Sequence, residues 1–520
     1  MNLAVMFQIA ANENMLGQIG DLKNAFCQSG KLERKSGKLY FRMPAEGIDG
    51  VSSEQLVEIV AGCYGLVDAP LHWRRSLTDF LKSLGCIQSR LDPCLFKLYD
   101  DQKILQGMIA IEVDDLFMVG HSFHLEKIQQ LREKFVFGKF VTLKETPDGA
   151  AFNGRRIKQL QNGEFQIDMQ KFVEERLGEL VLEKGRASQR KAEANEKEVS
   201  QARAVCGALN WLAKEGRPDA AGPSSLMSSK LATLKIEDIL LLNEVVRNLK
   251  KTSKLSLRIQ PLRKMKFSVV SDASFGNDQM HSQGGQMILC HEDGLQENQR
   301  VRANLLCWRS SRLQRVVNST LAAETQSLSR GLGDLLWVMV LFEELRDPDF
   351  SIRDWPQRLS GSEVLALAST SSSERLKGSL AIVDAKSLYD QLCKETIGGQ
   401  DKRTAIEVQI IREDLNSLSG KVRWVDHQAM VADTLTKVKG SCESLYRLLA
   451  SGEFQLVAEE DHLSARHQAK EQGQTNTDLR RFGVNKILGS CETIETKEPH
   501  LTPNHPETES ECHLPDGSIR

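Results

Sequence analysis

The sequence predicts an α+β protein with a polar C-terminal extension, on three observations. Strand-like runs alternate with helical periodicities over residues 1–145. A charged stretch, "EKGRASQRKAEANEKEVSQA" at 183–202, lies ahead of helical patterns in the middle of the chain. Beyond 263, short apolar strands alternate with long helices until the composition turns polar near 453. The boundaries so placed are 1–145, 146–262, 263–452 and 453–520, and 520 residues suit about three domains of ordinary size.

Composition narrows the class. Hydrophobic residues make up 40% and charged residues 27%, enough apolar surface to bury sizeable cores. The net charge of -2 selects no partner, because a nucleic acid needs a local basic groove rather than a basic total. The 11 cysteines form no CxxC pair and no even framework, which argues against a disulfide scaffold or a zinc finger. The N-terminal segment lacks the basic start and cleavage pattern of a signal peptide. The longest apolar run, "LLWVMVLFEEL", is too short to span a bilayer, so a cytoplasmic or nuclear protein with no membrane attachment is expected.

Taken in order, "NLAVMFQIAANEN" reads as a helix and "QIGDL" as a strand ending at Asp21. The stretch "MIAIEVDDLFMVG", 108–120, reads as an apolar hairpin interrupted by Asp114 and Asp115. Adjacent like charges repel, so such a pair is either a solvated turn or the oxygen ligands of a divalent cation. The middle holds two helical patterns, "ARAVCGALNWLAKEG", stopped by Pro218, and "IEDILLLNEVVRNLKKT". The last part opens with the strand "MKFSVVSDASFG", and four isolated acids follow strand ends or helix starts: Asp272, Glu324, Asp384 and Asp433. Basic stretches "KLERKSGK", "GRRIK", "RNLKKTSK" and "RIQPLRKMK" are solvated faces or phosphate contacts that read no base sequence.

Several of these pieces, in order and spacing, resemble the reverse transcriptase of copia-type retrotransposons. They are "DLKNAF", "LYFRMPAEG", "YGLVDAPLHW", "SRLDPCLFKL", "EVDD", "FNGRRI" and "GALNWLAKEGRPD". The later acids, in "VVSDASFG", "STLAAETQSLS", "AIVDAKSLYD" and "MVADTLTK", resemble the RNase H segment that follows that polymerase in a Pol polyprotein. The resemblance implies a polymerase palm of ferredoxin-like α+β core, a helical thumb or connection, and an RNase H-like α/β domain with a mixed sheet. It implies two Mg²⁺ (or Mn²⁺) per active site, held by Asp21 and Asp114 with Asp115 in support, and by Asp272, Glu324, Asp384 and Asp433. Phe26 would be the gate against a ribose 2′-hydroxyl, and Tyr64, Gly65, Pro70 and Trp73 would line the template and nucleotide. His427 would assist product release or proton transfer, or be a surface histidine. The implied partners are an RNA template, a DNA primer, an RNA–DNA hybrid and deoxynucleoside triphosphates.

Two departures from the family predict an impaired polymerase. Only 20 residues precede Asp21, so most of the family's fingers segment is missing. Glu112 stands where the family has an aromatic residue, and strand alternation would put it on the same face as Asp114. The alternative expectation is a catalytically inactive, nucleic-acid-binding remnant of a retrotransposon polyprotein. The insertion "RDWPQRLSGSEVLALASTSSSERLKG" at 353–378 reads as a loop, and the polar tail as disordered.

Overall fold

The computed structural model describes residues 2–457 apart from 33, 35–36, 48–49, 53, 279–280, 354–377 and 395–400. The insertion and the polar tail of the sequence therefore lie almost entirely outside the described residues. Everything below concerns one compact unit.

The first part opens with helix α1 (Asn2–Asn12), strand β1 (Leu16–Leu22) and a small ribbon of β2 (Tyr40–Arg42) and β3 (Leu56–Glu58). Helix α2 (Ala69–Ser83), strands β4 (Ile87–Gln88), β5 (Leu95–Tyr99), β6 (Leu105–Glu112) and β7 (Asp115–Gly120), helix α3 (Ser122–Lys134) and β8 (Phe137–Thr142) complete it. The strands form a six-stranded antiparallel sheet in the order β4-β5-β6-β7-β1-β8. Alternation decides which residue faces which layer. Met108, Ala110, Phe117 and Val119 face the main core with α1, whereas Ile109, Ile111, Leu116 and Met118 pack with Trp73, Leu77 and Leu81 of α2 and Ile128 and Leu131 of α3. Helix α3 also buries His124 against Gly107 and Gly120, where an added Cβ would fall 2.2 Å and 2.5 Å from the imidazole.

The middle contains β9 (Ala150–Phe152), β10 (Arg155–Gln159), β11 (Phe165–Asp168), α4 (Gln170–Glu175), α5 (Glu196–Glu215), α6 (Ala221–Ser229), α7 (Ile236–Lys251) and β12 (Ser256–Ile259). The sequence leads one to expect helices here, but a four-stranded antiparallel sheet, β12-β11-β10-β9, stands beside them. Its first hairpin turns on Asn153 and Gly154, both left-handed at φ 44° and 76°, the Asn-Gly geometry that suits a two-residue hairpin. The charged stretch ends in a capping box, Asn195 accepting from the Glu198 amide at 2.9 Å while Glu198 accepts from the Asn195 amide at 2.8 Å.

The last part runs β13 (Lys266–Asp278), β14 (His281–His291), β15 (Val301–Arg312), α8 (Thr320–Arg346), β16 (Leu380–Val383), α9 (Lys386–Cys393) and α10 (Lys402–Ser417). It ends with β17 (Lys421–Trp424), α11 (Asp433–Thr436), α12 (Glu443–Ser451) and β18 (Glu453–Phe454). The sheet order is β17-β16-β13-β14-β15-β18, parallel at β13–β16 and β16–β17 and antiparallel elsewhere. The chain is thus α+β with several sheets.

A continuous apolar core joins the three sheets, and α1 lies in it with Val5 to Ala11 buried. Its one polar member there, Gln8, is fully satisfied: it donates to Asn12 Oδ1 (2.9 Å) and to the Gln260 carbonyl (3.1 Å) and accepts from Asn304 (2.6 Å). The far end of α8 docks on the first sheet, where buried Lys97 pairs with Glu344 at 2.7 Å and Ser89 donates to the same carboxylate at 2.9 Å.

Candidate active site

Two groups of carboxylates are brought together. In the first, β6 and β7 are joined by a two-residue turn, Val113-Asp114, with Val113 in the left-handed region at φ 59°. Trp73, buried in α2, donates its indole N–H to the Val113 carbonyl at 2.8 Å, and the Leu22 amide donates to the Asp114 carbonyl at 2.9 Å. The turn is therefore held from both sides. Asp21 on β1 lies directly opposite Asp115 on β7. A Cβ on Gly138 would come within 2.9 Å of Asp21 Oδ2, so that strand can approach closely only because it carries glycine there. Burial, and then the charges of Asp114 and Asp21, raise the Asp115 carboxyl above its usual range, with Glu112 adding to the effect.

The expected sharing of a face by Glu112 and Asp114 does not occur. Alternation ends at Glu112, the left-handed Val113 turns the chain, and Asp114 falls in the turn. The cross-strand neighbour of exposed Glu112 is Asp115 instead, and its charge also reaches Arg155 and Glu215, an ion pair at 2.7 Å. Phe26 lies beside the ring of Tyr64, centroids 5.0 Å apart, and Tyr64 is exposed. Gly65 takes φ 93°, and Pro70 sits in the first turn of α2, where its missing N–H costs nothing.

In the second group, Asp272 comes from the middle of β13, Glu324 from the first turns of α8, and Asp384 from the residue after β16. One ligand oxygen from each lies within 4.8 Å of the others. Helix α8 is fastened beside Asp272 by Ser327, whose hydroxyl donates to the Asp272 carbonyl at 2.8 Å and accepts from Ser271 at 3.0 Å and Gln286 at 2.7 Å. Burial is the main cause that raises all three carboxyls. It takes Asp384 to about 7, with Asp272 next in effect, and pushes Glu324 well above the carboxylate range, with Asp272 and Asp384 next. Glu324 Oε2 is buried with no hydrogen-bond partner. Oxygen-only donors, crowded, buried and short of a donor, fit a hard divalent cation.

Asp433, at the start of α11, stands apart from that trio. Its oxygens are taken by Lys437 Nζ and by the Ser441 amide, the latter at 2.7 Å. Thr436 donates from the same short helix to Asp272 Oδ2. His427 pairs with Asp426 at 3.2 Å, the contact that raises its imidazole above the ordinary value, and it feels Asp384 and Asp433 as well. Sequence reasoning missed Ser327, Thr436, Lys437 and the bond from Trp73 to the turn. Only Lys437 had a signal, its spacing of four residues from Asp433 on a helical stretch.

Oxygen-rich clusters of this kind could hold divalent cations, and the chain is similar to several known proteins. Residues 2–187 match the family described as reverse transcriptase (RNA-dependent DNA polymerase). A putative transposon Ty5-1 protein of Saccharomyces cerevisiae is 26% identical over 264 residues, 48% of this chain and 83% of that protein. The retrovirus-related Pol polyprotein from transposon RE1 of Arabidopsis thaliana is 21% identical over 433 residues, 80% of this chain. This chain spans about a quarter of that polyprotein's length, 26%. A solved foamy viral protease–reverse transcriptase in complex with double-stranded DNA aligns over 82% of this chain and 59% of its own, at 12% identity and TM-score 0.44. The first part of the chain, residues 2–187, is thus similar to reverse transcriptases, and the similarity to retrotransposon Pol proteins extends further along it. No helix among the described residues is long and apolar enough to cross a membrane.

Proposed function

We propose that the chain is an RNA-directed DNA polymerase joined to a ribonuclease H that cuts the RNA strand of an RNA–DNA hybrid. The observation that carries the nuclease half is the meeting of Asp272, Glu324 and Asp384 within 4.8 Å, with a buried Glu324 oxygen lacking any donor. Bound Mg²⁺ or Mn²⁺ would polarise the attacking oxygen and stabilise charge at the scissile phosphate. Asp272, Glu324 and Asp384 would hold the ion, Thr436 orients Asp272, and half-exposed His427 stands where a proton can leave toward solvent.

The first part is the palm, with Asp21 and the carboxylates of the 114–115 turn as its metal-holding groups. The side chains of Phe26 and Tyr64 make the surface on which the incoming deoxynucleotide and template rest. The middle part is the connection and the last part the RNase H-like domain, on the boundaries 1–145, 146–262 and 263–452. Polymerisation is the weaker activity, because Glu112 places a further carboxylate beside Asp115 rather than an aromatic ring.

An RNA–DNA hybrid incubated with the full chain and Mg²⁺ is expected to be cut in the RNA strand. Asp272→Asn and Asp384→Asn should each abolish cutting, and undiminished cutting by either variant overturns the assignment. The alternative of a silent nucleic-acid-binding remnant draws on the protein donors that cover Asp433. It predicts salt-dependent hybrid binding with no turnover in Mg²⁺ or Mn²⁺.

A further inference from the structure

Helix α11, which carries Asp433 and Thr436, packs closely on α6 of the middle part. A Cβ on Gly222 would sit 2.1 Å from the Thr434 carbonyl oxygen. Ser310 donates to the Leu435 carbonyl and accepts from Gln283, which also donates to Ser225 of α6 at 2.8 Å. Just ahead of α6, Arg217 and Asp219 form an ion pair whose side chains are 1% and 2% exposed, bidentate at 2.9 and 2.7 Å. Arg217 also donates to the Thr252 carbonyl (3.0 Å) and hydroxyl (2.7 Å), so the pair is satisfied within the middle part. Such a pair gains little net stability over apolar packing of the same volume. It does offer a fixed acceptor, and Tyr446 of α12 donates its hydroxyl to Asp219 Oδ2 at 3.0 Å across 227 residues of chain. The Tyr446 amide in turn bonds the Cys442 carbonyl at 2.8 Å, and Cys442 and Thr434 share a hydrogen bond at 3.2 Å. The Ser441 amide holds Asp433 at 2.7 Å, and Thr436 donates to Asp272. A path of hydrogen bonds and close contacts thus runs from the buried ion pair to two of the four carboxylates.

We propose that the bond between Asp219 and Tyr446 braces the carboxylate centre, with Asp219 a positioning residue that sets the start of α12 and, through it, the pose of Asp433 and Asp272. The inference rests on reading the four acids as a metal-holding nuclease centre, and it gives the middle part of the chain a share in that chemistry. Without the brace, α12 shifts, the Ser441 amide moves off Asp433, and α11 carries Thr436 away from Asp272. Asp219 acts only through these bonds.

Asp219→Asn would strip buried Arg217 of its counter-charge, so the test variant is Tyr446→Phe in the full chain, which keeps the ring and removes only the donor. Its control is Tyr99→Phe, which removes a hydroxyl that donates to the Leu345 carbonyl at 3.0 Å, at the far end of α8 from Glu324. With Mg²⁺ and an RNA–DNA hybrid, Tyr446→Phe should cut the RNA strand with kcat about tenfold lower and KM for the hybrid unchanged. Isothermal titration should show a similar fall in affinity for the Mn²⁺ that Asp272→Asn ceases to bind. Tyr99→Phe should match the wild type in both. Unchanged kcat in Tyr446→Phe, or an equal fall in Tyr99→Phe, overturns the proposal. A wild type that binds Mn²⁺ through Asp272 but cuts no hybrid defeats the proposed nuclease alone, and unchanged Mn²⁺ affinity in Tyr446→Phe would then overturn the brace as well. If Asp272→Asn costs no bound Mn²⁺, both fall together.

Discussion

Trp73 reaches from α2 to donate its indole N–H to the carbonyl of Val113, the left-handed residue of the turn that carries Asp114. A buried aromatic thereby sets the pose of a half-buried acid 41 residues further on. Trp73→Phe keeps the ring but removes the donor, and should cost about 1 kcal/mol in urea unfolding. If the proposed activities hold, primer extension should fall in that variant while hybrid cleavage is unchanged, since Asp272 and Asp384 belong to another sheet.

Val113 is β-branched and left-handed, a conformation that costs such a residue about 1–2 kcal/mol. Val113→Gly should therefore raise the unfolding free energy by up to about 1 kcal/mol, part of the gain being offset by the greater freedom of glycine in the unfolded chain. A fall in the thermal midpoint would show that the turn geometry is not the strained one seen here.

Lys97 and Glu344 form a buried pair across the contact between the first sheet and α8. Glu344→Ala leaves an ammonium buried without its partner and should cost about 3–5 kcal/mol. The double variant Lys97→Met, Glu344→Leu should recover most of that loss, and chemical denaturation of the three variants measures it.

His124 is fully buried, and burial lowers its imidazole to about 3. The folded state keeps it neutral while the unfolded state protonates near 6.5, so stability from this group is complete above 6.5 and lost as pH falls below it. The loss is about 1.4 kcal/mol per pH unit until the folded value is reached. Raised carboxyls such as Asp384 act in the opposite direction, so the test is a difference. The gap in unfolding free energy between the wild type and His124→Leu should shift by about 2 kcal/mol against the wild type between pH 6.5 and 5.

Gly222, at the start of α6, lies where a Cβ would sit 2.1 Å from the Thr434 carbonyl oxygen of α11. Gly222→Ala should push α11 away, cost about 1–3 kcal/mol and weaken hybrid cleavage more than primer extension. Equal losses of the two activities would point to general unfolding instead.

What could be read from the chain was what depends on local order. Asp21, Asp115 and Asp272 lie on apolar strands, and the alternation that marks those strands also marks their acids. The mixed sheet was expected from the family resemblance alone, since alternation does not tell parallel from antiparallel pairing. The β9–β12 sheet was not, because β12 joins it from almost 90 residues beyond β11 and supplies only four residues of pattern. The roles of Trp73, Ser327 and Thr436 were equally hidden. Each is an ordinary residue whose importance comes from hydrogen bonds to partners distant in the chain. Glu112 was misplaced because a period of two holds only inside a strand, and the turn begins one residue later.

Helix α1 carries a further consequence, in the order of synthesis. Gln8 is buried among apolar neighbours and accepts its hydrogen bond from Asn304, a separation of 296 residues. At about 5–20 residues per second on the ribosome, α1 waits roughly 15–60 s before that partner exists. Throughout that interval the helix has its Asn12 contact and, once β6, β7 and β11 emerge, part of its core, but lacks the third-sheet side of that core and the Asn304 bond. A nascent chain of this protein should therefore depend on a holding chaperone until the third sheet emerges, and ribosome-bound chains stalled before residue 304 should aggregate when that chaperone is withdrawn.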